Sequence, residues 1–446
     1  MRLPKISFQS KIIINLGLTF IVCLAFFLML YWGVSTFPFF VLFFLVSAFT
    51  NFPKSLVSPL SFFYLYYISF YVVAPLFAER YQLVVFEPCY SLAFILLYVV
   101  FSLGQNSILM GEKYGMSRVS TPSTYDANVG WLIAPLFFLS TLMCVLIVIN
   151  SGGFDYWIDS PGQAFLNRGG TGHFVILSHF FSIAMSALVG FYVYKSKRYW
   201  VYIIFLIWFF VTSPVHGSKM QLSLLILLSI IPWLRNTRVL TLRSISVLLI
   251  LVLLFFLGLY FRNNSWLTFD KLIPYALNYF TALENLAISL RDFEPMFMHT
   301  FLLPFNKFLT PFGLSDSSLY YDMNHYLTDI YFPENWEVRA TEQWPVETDL
   351  YLNFYFVFGL PLVCFYLFFV GYIYGRAKIV DTLGYWMIAF LMTIFLISHL
   401  RGSLYNHVDF YMYPYMFIVW FSFRRYSFKL GSPGPKIIHA SEGLAK

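Results

Sequence analysis

The chain has 446 residues and a formal net charge of +7; 59% of its residues are hydrophobic, 22% aromatic and only 11% charged, with a mean hydropathy of +0.72. A water-soluble domain covers its surface with roughly 25% charged residues, so this composition excludes a soluble globular protein, and it is far too apolar for a disordered one. It predicts an all-α, polytopic membrane bundle, because the apolar runs are continuous and approach the roughly 20 residues that cross a bilayer, unlike the alternating segments of a membrane barrel.

In chain order, apolar runs bounded by charged or turn residues fall at 12–31, 35–51, 57–78, 85–105, 130–150, 172–194, 199–213, 219–234, 244–261, 348–374, 380–398 and 406–423. They predict about twelve transmembrane helices. The first follows Arg2, Lys5 and Lys11, yet no small-residue cleavage pattern comes after it, so it reads as a retained anchor. With the N-terminus inside, 19 of the 28 Lys and Arg fall on the cytoplasmic side with 4 acidic residues, and 9 fall outside with 17, a balance of +15 against −8. Basic residues are retained in the cytosol, so both termini are expected there. The positive charge is thereby explained by topology, and no nucleic-acid partner is implied.

Three regions result: residues 1–261 as nine spans with short loops, 262–347 as a large outward loop, and 348–446 as three spans and a basic tail. Within the loop, Leu272, Ala276, Leu277, Phe280, Leu283, Ala287 and Leu290 recur at three- and four-residue spacing, with Glu284 and Arg291 on another face. This pattern predicts an amphipathic helix that lies at the lipid interface or packs over the bundle. The apolar, proline-bounded stretch 304–311 predicts an interfacial or re-entrant turn. A smaller outward loop, 151–170, carries Asp155, Trp157, Asp159 and Arg168. Cys23, Cys89, Cys144 and Cys364 are scattered in apolar surroundings and read as packing residues.

Charges at membrane depth cost about 2.5–3.5 kcal/mol each, so they face a cavity or a partner. Three groups at the outer boundary qualify: the hairpin His216-Gly217-Ser218-Lys219; the run His399-Leu400-Arg401-Gly402-Ser403 with His407 and Asp409; and the loop flanks, with Arg262 on one side and Glu342, Glu347 and Asp349 on the other. Each has a plainer reading. Lys219 can snorkel to head groups, His216 can be a turn residue, Arg401 can pair with Asp409 or another carboxylate, and Glu347 and Asp349 can sit at a helix N-terminus. Taken together, Arg401, Arg291, Lys219, Arg262 and Arg168 suit a lipid-linked phosphate or pyrophosphate, whose oxygens match guanidinium forks. The acidic, aromatic loop suits sugars. Glycosyl transfer follows, with Glu347, Asp349 or His216 as general base and the cations stabilising the leaving pyrophosphate. No cofactor and no metal are required for that chemistry, and there is no Asp-x-Asp pair. The sequence also lacks a Gly-rich phosphate loop, a His-Glu-x-x-His and a Gly-x-Ser-x-Gly.

The architecture, with its largest outward loop before the last three spans, resembles the bacterial O-antigen (Wzy-type) oligosaccharide repeat-unit polymerases. The local likeness lies in His216-Gly217-Ser218-Lys219, in Glu284-Asn285-Leu286-Ala287 with Arg291-Asp292, in the aromatic stretch 304–312, and in Leu400-Arg401-Gly402-Ser403. The resemblance implies a metal-independent, membrane-embedded glycosyltransferase of the C-type (GT-C) class in the bacterial inner membrane. Such an enzyme joins oligosaccharide units carried on undecaprenyl pyrophosphate at the periplasmic face, with a chain-length regulator as a possible partner. Among its outward arginines, Arg401 matches best and Arg291 follows, and Lys219 stands where some relatives carry arginine. Loss of Arg401 or Arg291 is then expected to abolish polymer while leaving single repeat units. An O-antigen ligase and a lipid-linked oligosaccharide flippase are the competing functions; a transporter is expected to show repeat symmetry and midplane charges.

Overall fold

The computed structural model describes residues 8–82, 84–117, 123–124, 129–216, 219–263, 267–315, 320–337 and 341–428. Among them the chain is helical, with no strand and two isolated bridges, Ser55 with Arg238 and Thr382 with Ser427. Eight helices are long and apolar enough to cross a bilayer: Ile12–Tyr31, Pro59–Phe77, Pro88–Ser117, Gly130–Asn150, Gly172–Ser196, Tyr199–His216, Val357–Val380 and Leu383–Leu400. The other four apolar segments also form helices, but shorter ones. Phe37–Thr50 and Ser244–Tyr260 are two of them, and Asp409–Phe423 carries Pro414. The fourth is broken into Lys219–Ser229 and Ile231–Leu234. Pro232 has no N–H to give the carbonyl four residues back, so the helix stops and restarts.

The centre of the bundle is a close pair, Pro88–Ser117 against Leu360–Val380, and glycine makes it possible. A Cβ on Gly111 would lie 2.0 Å from the Phe368 carbonyl oxygen, and one on Gly371 would lie 2.2 Å from that of Ile108. One helical turn further on, Gly115 and Gly375 meet the Tyr372 and Glu112 carbonyls in the same way, at 2.3 and 2.2 Å. In lipid there is little hydrophobic gain from helix association, so backbone-to-backbone approach at two facing Gly-x-x-x-Gly pairs supplies the packing.

Two apolar clusters flank this pair. One joins the first four apolar helices to the loop residues Ala282, Leu283, Leu286 and Ala287. The other joins Gly172–Ser196, Tyr199–His216 and Asp409–Phe423. The helices Leu360–Val380 and Leu383–Leu400 contribute to both, so the seam between the clusters runs along them. At one end of this seam Arg235 pairs with Asp381 at 2.5 Å and Lys378 with Glu112 at 2.8 Å. At its other end, where Leu383–Leu400 finishes in Arg401, the long loop folds over the bundle.

Two sequence expectations change in detail. The amphipathic stretch is two helices, Leu272–Asn278 and Ala282–Asp292, not one, and the second packs its buried face onto Pro88–Ser117, one of the two placements expected. Arg80 pins it by an ion pair with Glu284 and a 2.9 Å bond to the Asn278 carbonyl. The expected span 348–374 is also two pieces: a short helix Val346–Phe354, then Tyr355 and Phe356 at φ 50° and 62°, then Val357–Val380. Two successive non-glycine residues in that region are strained, and they let the acidic helix turn away from the span that follows. The stretch 304–311 forms a short helix, Pro304–Leu309, ended by Gly313 at φ 68°.

Candidate functional site

Glu347 and Asp349 occupy the first turn of Val346–Phe354, and neither has any exposed surface. Charged side chains survive such burial only when something holds them. The two carboxylates are held differently.

Asp349 is fully engaged. Its Oδ1 accepts from Asn353 Nδ2 at 2.6 Å and its Oδ2 from the Leu404 backbone N–H at 2.9 Å. Asn353 is fixed in turn, since its Oδ1 accepts from the N–H groups of Thr300 and Phe301 at 2.7 and 3.1 Å. The same loop segment satisfies the end of the helix, with Met296 N–H on the Leu352 carbonyl and Met298 N–H on that of Asn353, both at 2.9 Å. Asp349 therefore couples the long loop to the 401–404 segment. Burial pushes its carboxyl up to about 6.

Glu347 keeps one oxygen free. Its Oε1 accepts from the Tyr67 hydroxyl at 2.6 Å, while Oε2 is buried without a hydrogen-bond partner among the described residues. Burial pushes this carboxyl up to about 7, and the Tyr67 bond and a backbone N–H hold it back from going higher. A carboxylate poised near neutrality with an unspent lone pair is suited to take a proton.

Tyr67 lies in the α-helical part of Pro59–Phe77, just ahead of a change in its winding. A π-helical turn at Ser69–Val73 widens it, a distortion frequent where helices carry function. Tyr66 and Tyr71 share a 2.8 Å hydroxyl contact, and Tyr66 also donates to the Leu400 carbonyl at 2.7 Å. That bond brings the tyrosine group to the end of Leu383–Leu400, beside Arg401. Glu347 and Arg401 both lie close enough to the Tyr66 phenol for charge interaction. Arg401 is half-buried, and its guanidinium makes no hydrogen bond or ion pair among the described residues. Asp409 does not pair with it. Asp409 instead meets His399 Nε2 at 2.9 Å and accepts from the Asn406 N–H at 2.8 Å, while His399 Nδ1 faces the Phe395 carbonyl.

The remaining residues singled out in the sequence fall elsewhere. His216 is buried with its Nε2 4.0 Å from Cys144 Sγ, near His179. Arg168 joins that second group, donating to the Val215 carbonyl at 3.4 Å with its guanidinium over the Phe165 ring. The two groups border each other at Tyr411, which lies within charge reach of both Asp409 and Arg168. Arg291 is 61% exposed and grips its neighbour Asp292 with two bonds of 2.7 and 2.9 Å. It stands at the rim. Glu342 accepts from Thr281 and Asn335, tying parts of the loop together. The side chains of Lys219 and Arg262, the residues Gly217 and Ser218, and the basic tail beyond residue 428 lie outside the described residues.

Sequence reasoning missed Tyr66 and Tyr67, and it singled out His399 without pairing it with Asp409. Aromatic residues are abundant throughout the chain, and His399 carries no spacing signal toward Asp409. No family model, no curated protein and no solved structure matches the chain.

Proposed function

We propose that the protein is a membrane glycosyltransferase that polymerises undecaprenyl-pyrophosphate-linked oligosaccharide units at the periplasmic face, on a twelve-span, GT-C-like bundle. The observation that carries the reading is the pairing of an enclosed carboxylate with a free oxygen, Glu347, and an uncommitted cation, Arg401, within reach of the same tyrosine at the loop end of the bundle. The twelve-span topology is supported by the helix found in each of the twelve apolar runs, eight of them long enough to cross a bilayer unbroken.

In this reading Glu347 takes the proton of the acceptor hydroxyl as that oxygen attacks the anomeric carbon, and Arg401 stabilises the pyrophosphate that departs with the polyprenol. Tyr67 orients Glu347 and holds it ionisable near neutral pH. Asp349 is a positioning residue, since its Oδ2 fixes the segment that follows Arg401 while its Oδ1 is held by Asn353. Because Glu347 is enclosed, acceptor binding must open the loop end before transfer. Aromatic side chains of the loop, including Trp336, Tyr320 and Tyr321, offer faces for sugar rings.

The test is genetic and chemical together. A deletion strain is expected to carry single repeat units on its surface lipid, and Arg401→Ala or Glu347→Gln expressed in it is expected to leave that pattern unchanged while the protein accumulates normally. Loss of all surface glycan in the deletion strain identifies a ligase instead. Lipid-linked units trapped on the cytoplasmic leaflet identify a flippase. Normal long chains with Arg401→Ala remove Arg401 from the site.

A further inference from the structure

On the loop side of the 401–408 segment, three potential metal ligands meet from two distant parts of the chain. Asp322 caps the helix Met323–Tyr331, with an extended backbone and its Oδ1 accepting from the His325 N–H at 3.0 Å. One turn into that helix the His325 ring folds back, so that its Nδ1 lies 2.7 Å from Asp322 Oδ1. From the start of the last apolar segment, His407 brings its own Nδ1 to 3.3 Å from Asp322 Oδ2. One donor atom from each residue lies within 4.8 Å of the others.

A hydrogen bond to the carboxylate accounts for His407 but not in the same way for His325. Despite the 2.7 Å approach, His325 Nδ1 is buried and makes no aligned hydrogen bond among the described residues. The neighbouring Asn324 Oδ1 is buried and unpartnered as well. The rings are held in place by their surroundings: Tyr321 packs on both His325 and His407 with centroids 5.9 Å apart, and Trp336 packs on His325 at 5.2 Å. The nearby cation, Lys307, is directed at the Tyr321 ring, 4.4 Å from its centroid.

We propose that Asp322, His325 and His407 bind a divalent ion of the zinc class, which fastens the loop helix Met323–Tyr331 to the segment that carries Arg401. Two imidazole nitrogens and one carboxylate oxygen form a three-residue ligand set that leaves a fourth position for water. Magnesium and calcium prefer all-oxygen shells, so nitrogen ligands select the zinc class. The second link between these parts lies at Gly402, where a Cβ would stand 3.1 Å from Asn324 Nδ2. The ion takes no part in the transfer step proposed above, and the site stands whether or not that function holds.

The experiment uses the full chain in lipid nanodiscs, purified without a polyhistidine tag, stripped with chelator and titrated with Zn²⁺ alone. One equivalent of bound zinc and a higher melting temperature are expected. His407→Gln and His325→Ala are expected to weaken binding at least tenfold, and His299→Ala, which alters a histidine outside the cluster, is expected to bind as the parent does. If a variant unfolds, Co²⁺ added to the parent chain provides the second measurement, and visible absorption of a four-coordinate nitrogen and oxygen site is expected. Absence of stoichiometric zinc in the parent, zinc binding undiminished in the His325→Ala/His407→Gln double variant, or a six-coordinate cobalt spectrum overturns the proposal.

Discussion

Tyr67→Phe isolates the interaction on which the proposed chemistry depends. The substitution deletes one hydroxyl at a position with no exposed surface and keeps the ring, so packing against Phe63, Tyr71 and Phe101, at centroid distances of 4.9, 5.3 and 5.2 Å, survives. What disappears is the 2.6 Å bond to Glu347 Oε1, after which neither oxygen has a side-chain donor. A hydrogen bond to a charged group contributes about 1.5–3 kcal/mol, and about 1.4 kcal/mol corresponds to one pH unit. The Glu347 carboxyl, held at about 7 in the parent, is therefore expected to rise by about one to two pH units. Stability reads this directly. Below about 4.5 the carboxyl is protonated in both folded and unfolded chains; between 4.5 and about 7 only the unfolded chain loses its proton, so folded stability falls as pH rises, by about 3 kcal/mol in all. In Tyr67→Phe the fall is expected to continue to higher pH, and in Glu347→Gln this component is expected to vanish. Thermal unfolding in nanodiscs across pH 4 to 9 makes the comparison, and the acid limb of an in vitro polymerisation assay is expected to shift in parallel. If parent, Tyr67→Phe and Glu347→Gln share one stability profile, the account of Glu347 is wrong.

Further expectations follow from the packing around the site. Gly371→Ala places a methyl carbon 2.2 Å from a backbone oxygen that cannot swing aside, so the helix pair must separate at a cost of about 1–3 kcal/mol. Gly17→Ala, with open space at the same point, is expected to be neutral or stabilising, and a melting temperature in detergent distinguishes them. Asp349→Asn sets an amide donor against either Asn353 Nδ2 or the Leu404 N–H, both of which are donors, and Asn353 cannot flip because its oxygen already serves Thr300 and Phe301. About 1–3 kcal/mol of destabilisation is expected, along with faster hydrogen exchange at Leu404. Arg291→Ala removes an exposed side chain paired to its own neighbour, so, against the loss that the resemblance implies, polymer made by that variant is expected to stay near the parent level, measured on the same gels that report the loss with Arg401→Ala.

The linear chain determined where helices form, because each apolar run must satisfy its own backbone hydrogen bonds wherever lipid surrounds it. Each of the twelve runs carries helix, two of them interrupted, and the long connection before the last three holds 11 of the protein's 21 acidic residues. The sequence also marked Glu347, Asp349, Arg401, His407 and Asp409 as unusual, since an ionisable residue at the edge of an apolar run is conspicuous in one dimension. It could not pair them. Tyr67 and Glu347 are 280 residues apart, Arg80 and Glu284 belong to different segments, and Asp322 meets His407 across two spans, 85 residues on. Nothing in local periodicity distinguishes Tyr67 from the chain's 33 tyrosines, or the Asp409–His399 pair from the Asp409–Arg401 pair that spacing suggested. Those choices were decided by the tertiary structure: facing glycines let two helices close to backbone contact, the tyrosines of Pro59–Phe77 met the ends of distant segments, and the strained Tyr355–Phe356 junction turned the acidic helix away from the span that follows. Burial then did what sequence cannot express, by fixing which carboxylate spent its oxygens on structure and which kept one free.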